Sequence, residues 1–213
     1  METDFQWLKQ IKSVHVIGAS KKSDKPSNRL FLDMKDSGWR LIPINPQSVG
    51  DTIYGLPFRS FPQDEQPELF VVFLSPDSTL EFLKKWMYMH SSKPHIWLQP
   101  GAENSDVIHW LKQANWPFTS SICWVETTLE QDLTCEYSHG YLPWYIQYKD
   151  ETSHCSIWKV IELESSIQVI DKETVEWVGD LVDLEIDAHQ IPQYIRTLQK
   201  AEETLEETAK RLS

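Results

Sequence analysis

The chain has 213 residues, 40% hydrophobic and 24% charged, with a formal net charge of −12. That size suggests one large domain, or one full domain plus something smaller. No apolar run approaches the roughly 20 residues needed to cross a bilayer, and so acidic a chain repels nucleic-acid backbones.

The acidic start, Met1-Glu2-Thr3-Asp4, has no apolar stretch behind it and does not read as a signal peptide, so a cytoplasmic location is expected. Charge is uneven along the chain. Residues 1–130 hold 13 Lys/Arg against 15 Asp/Glu, while residues 131–213 hold 7 against 17, a net −10. Cys123, Cys135 and Cys155 are too few and too scattered for a disulfide framework. A zinc set drawn from Cys135, His139, His154 and Cys155 is disfavoured, because adjacent residues on a strand face opposite ways.

In chain order, residues 4–12 read as a short helix, with Phe5, Leu8 and Ile11 at helical spacing. Val14–Ile17 is a first strand, apolar enough for the middle of a parallel sheet. Ser27–Ser37 reads as a helix stopped by Gly38, and Arg40–Ile44 as a second strand. The stretch 47–67, punctuated by glycines and prolines, reads as loop. Leu69–Leu74 is the clearest buried strand, and Ser75-Pro76 opens a helix running to about Met89. His95–Leu98 is a strand, Asp106–Ala114 a helix capped by Asn104 or Ser105, and Phe118–Ile122 a fifth strand.

Beyond about residue 130 the pattern changes. Tyr141–Tyr148, Ser156–Leu163 and Ile167–Ile170 read as strands with no helices between them, so antiparallel pairing is expected. Val175–Leu184 is ambiguous. From Pro192 one long helix is expected, with Ile191, Leu198, Leu205 and Leu212 recurring every seventh residue. That stripe suits either packing on its own sheet or a homodimer. Trp144, Trp158 and Trp177 are candidates for an interface or for the core of this part. The domains read as 1–130 and an acidic 131–213.

Residues 14–29, VHVIGASKKSDKPSNR, carry the chemistry. An apolar strand ends in Gly18-Ala19-Ser20, and a lysine-rich loop follows. A helix then begins at Pro26, which fits a first turn because its missing N–H has no intrahelical partner there. A small-residue turn leading to a helix N-terminus can hold a phosphate, and Gly18 lets a backbone approach a ligand closely. Lys21, Lys22, Lys25 and Arg29 add positive charge, or are simply a solvated loop. In alternating βα folds, ligands sit beyond the carboxyl ends of the strands at a topological switch point. The turns 18–29, 45–46 and 74–78 fall there, and 99–104 closes the site or packs beside it. At the end of the second strand, Asn45 stands where an NAD site commonly has a carboxylate, which tilts away from NAD without excluding NADP.

The segments VIGAS (16–20), KPSNR (25–29), IPINP (42–46), FLSPD (73–77) and WLQPGAEN (97–104) occur in that order. Together they resemble the stand-alone CoA-binding proteins, whose Rossmann-like domain is similar to the N-terminal domain of the succinyl-CoA synthetase α subunit. The resemblance covers about residues 10–128. It implies an α/β, Rossmann-like doubly wound parallel sheet; the smaller C-terminal α+β region, read from its own pattern, lies outside the resemblance. It also implies CoA or acyl-CoA as ligand. Gly18, Ser20, Pro26, Ser27 and Arg29 would surround the phosphates, Ala19 and Lys25 are read as cofactor-binding beside them, and Asn45 and Pro46 would lie near the ligand. Leu74, Ser75 and Pro76 would line its nucleotide or pantetheine end. Many family members have a basic residue near the end of strand three, where this chain has Leu74 and Ser75. His139-Gly140 lacks the glycine-rich surroundings of the synthetase's phosphohistidine, so ligase chemistry is not expected, and no catalytic set is read elsewhere. His15 reads as a core histidine and Cys123 as an inert thiol. The alternatives are an NAD(P)-dependent oxidoreductase and a degenerate nucleotide fold used as an interaction scaffold.

Overall fold

Short apolar runs, buried along their whole length, set the architecture of the first part of the chain. The computed structural model describes residues 4–137, 142–162 and 170–213. Strands β1 (Ser13–Ile17) and β2 (Arg40–Ile44) are followed by a small hairpin of β3 (Thr52–Ile53) and β4 (Leu56–Pro57). Then come β5 (Leu69–Val72), β6 (His95–Leu98) and β7 (Phe118–Thr119). Five of these form a parallel sheet in the order β2-β1-β5-β6-β7. The register pairs Val14 with Leu41 on one side and with Leu69 on the other. Every residue of β1, β2 and β5 is buried. Central strands of a parallel sheet are covered on both faces and therefore carry unbroken apolar runs.

Helices α1 (Pro26–Asp33), α2 (Pro76–Met89), α3 (Ser105–Gln113) and α4 (Trp124–Glu130) cover the sheet. Phe70 of β5 meets the rings of Phe82 and Trp86 of α2 edge-on, at 5.5 and 5.0 Å. The Trp124 ring lies 5.2 Å from Trp39, and the Thr128 hydroxyl reaches the Met34 sulfur just beyond α1. The expected helix over 4–12 is a single 3-10 turn, Gln6–Gln10. Helix α4 was not expected from the sequence. Thr127 and Thr128 are weak helix formers, and their hydroxyls bond back to the carbonyls of Cys123 and Trp124.

The chain divides into two compact units. One comprises Met1–Ile44 and Glu65–Gly140, the other Asn45–Asp64 and Tyr141–Ser213. The stretch 45–64, most of it within the 47–67 read from sequence as loop in the first domain, thus clusters with the C-terminal part. The second unit has a sheet of β8 (Trp144–Lys149), β9 (Ser156–Ile161) and β10 (Val175–Asp180), antiparallel in the order β10-β8-β9. Helices α5 (Leu181–Ile186), α6 (Gln190–Thr197) and α7 (Leu205–Arg211) complete it. The ambiguous stretch 175–184 is both things in turn: a strand that runs into a helix at the Asp180 capping box. Except for Ile170, the strand read over 167–170 lies outside the described residues, as does His139.

Arg59 explains why the 45–64 segment belongs here. Its side chain is 2% exposed and ion-paired to Asp183 and to Asp180, the latter at 3.1 Å. It also donates to the Pro57 carbonyl at 2.7 Å. Those two aspartates are the ones that cap α5. A guanidinium is taken out of water only where its donors are met.

The expected single long C-terminal helix is corrected. The chain leaves α6 at Leu198, and α7 starts afresh at a capping box made by Thr204 and Glu207. Ile191, Ile195 and Ala209 are buried with Tyr145, Trp177 and Leu184, and Leu205 and Leu212 pack against them. The heptad stripe is therefore split between two short helices, and Ile191, Leu205 and Leu212 from it pack into this unit's own core. Trp158 stacks on both Tyr145 and Trp177, at 5.7 and 5.8 Å, and Trp144 is buried with Ile146 and Val178. All three tryptophans first considered for an interface are thus core-packed.

Candidate functional site

In the parallel sheet, β1 continues through α1 to β2 on one side, whereas β5 continues through α2 to β6 on the other. The direction of winding reverses between β1 and β5, which is where doubly wound folds open a crevice. Gly18 lies just past the end of β1, and Phe73 and Leu74 just past the end of β5. Gly18 has φ +83°, and a Cβ on it would lie 2.8 Å from Leu74 Cδ2 and 3.3 Å from the Phe73 carbonyl carbon. The left-handed backbone and the neighbouring strand end both favour glycine here.

The amides of Gly18 and Ala19 both donate to the Ile44 carbonyl, at 3.0 and 3.2 Å. Ser20 is engaged as well. Its carbonyl accepts from Asn28 Nδ2 at 2.9 Å and its hydroxyl oxygen accepts from the Lys22 amide at 3.2 Å. These bonds shape the loop and seat α1.

Two helix ends lie nearby. Helix α1 begins at Lys25-Pro26 and α2 at Ser75-Pro76, and neither N-terminus has a side-chain cap. The Ser75 hydroxyl bonds to Ser78 Oγ instead. At α3 the contrast is complete, for Asn104 accepts from the amides of Asp106 and Val107 at 3.1 and 2.9 Å. An uncapped N-terminus keeps unmet amides and roughly half a positive charge.

Between these two ends lies a cleft of about 270 Å³. One side is Lys25, Pro26 and Ser27 from the start of α1. The floor is Phe73, Leu74 and Ser75, and the far side is the turn Gln99-Pro100-Gly101-Ala102 that follows β6. Lys25 is the one charged residue in this lining. The turn is closed by the Ala102 amide donating to the Gln99 carbonyl at 2.8 Å, and Gly101, at φ +94°, has open space where a Cβ would be. Gln99 is 4% exposed, and its side-chain Nε2 has no hydrogen-bond partner among the described residues.

Of the residues singled out from sequence, Lys25, Pro26, Ser27, Leu74 and Ser75 come together around this cleft. Gly18, Ala19, Ser20, Arg29 and Pro76 belong to the same unit but do not line it, and Arg29 is exposed. Asn45 and Pro46 belong to the second unit. Phe73 was not selected, and the 99–104 turn was read as closing the site or packing beside it, with none of its residues named as ligand-binding. The signal was present, since Pro100-Gly101 ends an apolar strand at the same sheet edge as Gly18 and Leu74. His95 begins β6, at the opposite end of that strand from the cleft. Burial pulls its pKa down to about 4, and Nε2 lies 2.9 Å from Thr119 Oγ1. Its part is structural.

Comparison with known proteins gives a match to the family model for the CoA binding domain over residues 12–126. The uncharacterized protein YneT of Bacillus subtilis is 22% identical over 117 residues, 54% of this chain and 84% of that protein. A solved structure from Thermus thermophilus superposes with a TM-score of 0.52 at 24% identity, covering 58% of this chain and 92% of that one. A hypothetical protein from Pyrococcus horikoshii gives a TM-score of 0.50 at 18% identity, covering 58% and 85%. At these identities the structural likeness speaks for the fold. The family match spans more than half of the chain and runs from the residue before β1 into α4, so the cleft falls inside it. The chain belongs to the CoA-binding domain family.

Proposed function

We propose that the protein binds CoA or an acyl-CoA in the cleft between the α1 and α2 N-termini, as a cytoplasmic binding or regulatory module rather than a catalyst. The acidic second unit would serve as its interaction region. The observation that carries this reading is the pair of uncapped helix N-termini, flanked by Lys25, at the switch point of a CoA-binding domain. Two helix ends and one lysine suit an anionic diphosphate without asking for an arginine clamp. At about 270 Å³ the cleft lies just below the usual range of roughly 300–1,000 Å³ for small-molecule sites. It would therefore enclose a segment of an extended ligand and leave the rest on the surface.

Calorimetric titration with CoA, NAD and NADP tests the reading. CoA is expected to bind, and to bind more tightly than either dinucleotide. No heat of binding with CoA at millimolar concentration, or tighter binding of NADP, would overturn it.

A further inference from the structure

A buried carboxamide donor without a partner is costly to leave in a folded protein. Gln99, a residue of the cleft lining, keeps one just beneath the surface: the residue is 4% exposed, and Nε2 is covered and unmatched among the described residues, so a turn of the side chain is what brings it to a ligand. Its backbone is held from both sides. The Gln99 amide donates to Val72 O at 3.1 Å, and its carbonyl accepts from Ala102 at 2.8 Å. The strand end and the turn thus hold the residue at the cleft wall, with its amide donor unmet.

The cleft has two chemical ends. Lys25 and Ser27 at the mouth of α1 supply a cation and a hydroxyl. Gln99 sits among Phe73, Leu74, Pro100 and Ala102, where the surroundings are apolar and no charged side chain lines the wall. A phosphate is poorly served there, because burying an anion against apolar groups needs a countercharge. A neutral carbonyl on an aliphatic arm is well served. One N–H meets its oxygen, and the methylenes lie on the proline and leucine.

On the reading above that CoA is the ligand, we infer that Gln99 donates to an amide carbonyl of the pantetheine arm. Gln99 then makes the cleft selective for ligands that carry that arm over nucleotides that lack it. The α1 end takes charge and the Gln99 end takes the arm. The donor that is unmet in the free protein is met only in the complex.

Titration of the wild type and of Gln99→Leu with CoA, ADP and adenosine 3′,5′-bisphosphate tests this. The two nucleotides keep the phosphates and lack the arm. Gln99→Leu is expected to weaken CoA about tenfold, the scale of one lost buried hydrogen bond, and to leave both nucleotides unchanged. Its ligand-free unfolding temperature should equal or exceed that of the wild type, because the substitution removes an orphaned polar group. That readout separates a lost contact from a damaged fold, and Gln99→Asn, which keeps the donor on a shorter stem, gives a second, intermediate variant. Equal weakening of ADP and CoA would make Gln99 a phosphate contact and overturn the assignment, as would unchanged CoA binding. A wild type that takes up no CoA overturns the functional reading itself, together with this one.

Discussion

The two units are built on different physical terms. In the first, a parallel sheet is buried on both faces, and its strands are runs such as Leu-Phe-Val-Val whose partners lie one crossover away. In the second, a twenty-residue segment from the middle of the chain joins residues more than a hundred positions later through the Arg59–Asp180–Asp183 cluster. The first unit tolerates local error because its stabilisation is spread over many apolar contacts. The second concentrates a share of its stability in one charged junction, where the loss of a single partner is severe.

The largest effect should therefore come from breaking that junction. Arg59→Met leaves two buried carboxylates without their cation and should cost about 3–5 kcal/mol. Hydrogen exchange is the discriminating measurement. Protection should fall across β8 to β10 while β1 and β5 keep theirs, and an equal loss in both units would show that the junction serves the whole molecule.

In the first unit the corresponding weak point is steric. Gly18→Ala must accept φ +83° and a Cβ 2.8 Å from Leu74 Cδ2, so a cost of about 1–3 kcal/mol is expected. Because Leu74 is part of the cleft floor, CoA affinity should fall along with the urea midpoint. A variant that lost stability and kept full affinity would separate the turn from the site.

Charge at the cleft mouth sharpens the comparison without touching either fold. Lys25→Glu should weaken CoA about tenfold, with a salt dependence that flattens. Arg29→Glu should do less, since Arg29 lies outside the lining. Thermal unfolding of both variants should stay within about 0.5 kcal/mol of the wild type, as expected of surface changes. A greater loss at Arg29 would move the anion site along α1.

The smallest effect is a pH slope. The folded pKa of His95 is held at about 4 by burial, below its ordinary value. As pH falls through about 6.5, the unfolded chain takes a proton that the folded chain refuses, so stability drops between about pH 6.5 and 4. Below that window the slope ends. Urea midpoints of wild type and His95→Asn at pH 7.5 and 5 should reveal a shallower loss in the variant.

The legibility of the sequence follows the same division. Strands β1, β2, β5 and β6 and helices α2 and α3 were readable, because unbroken apolar runs, Pro at the first helical position and the Asn104 cap are local signals. The α6–α7 break was readable too, from Thr204-x-x-Glu207, but the seven-residue apolar recurrence concealed it. Of the residues read as ligand-binding, Lys25, Pro26, Ser27, Leu74 and Ser75, all from the motifs that start the two helices, line the cleft. Gln99 lay in the 99–104 turn read as closing the site or packing beside it, but what singles it out within that turn is a missing partner, and a missing partner has no sequence signature.

By itself the sequence determined the layered α/β class, the positions of the crossing helices and the end of the sheet at which the cleft opens. Each depends on residues within one turn or one strand of each other. The tertiary structure alone decided that Gly18 answers to Leu74, that Ile44 consumes the turn amides, and that Arg59 ties a mid-chain hairpin to a distant helix cap. Those outcomes depend on which groups are brought together out of water, and chain order does not encode that distance.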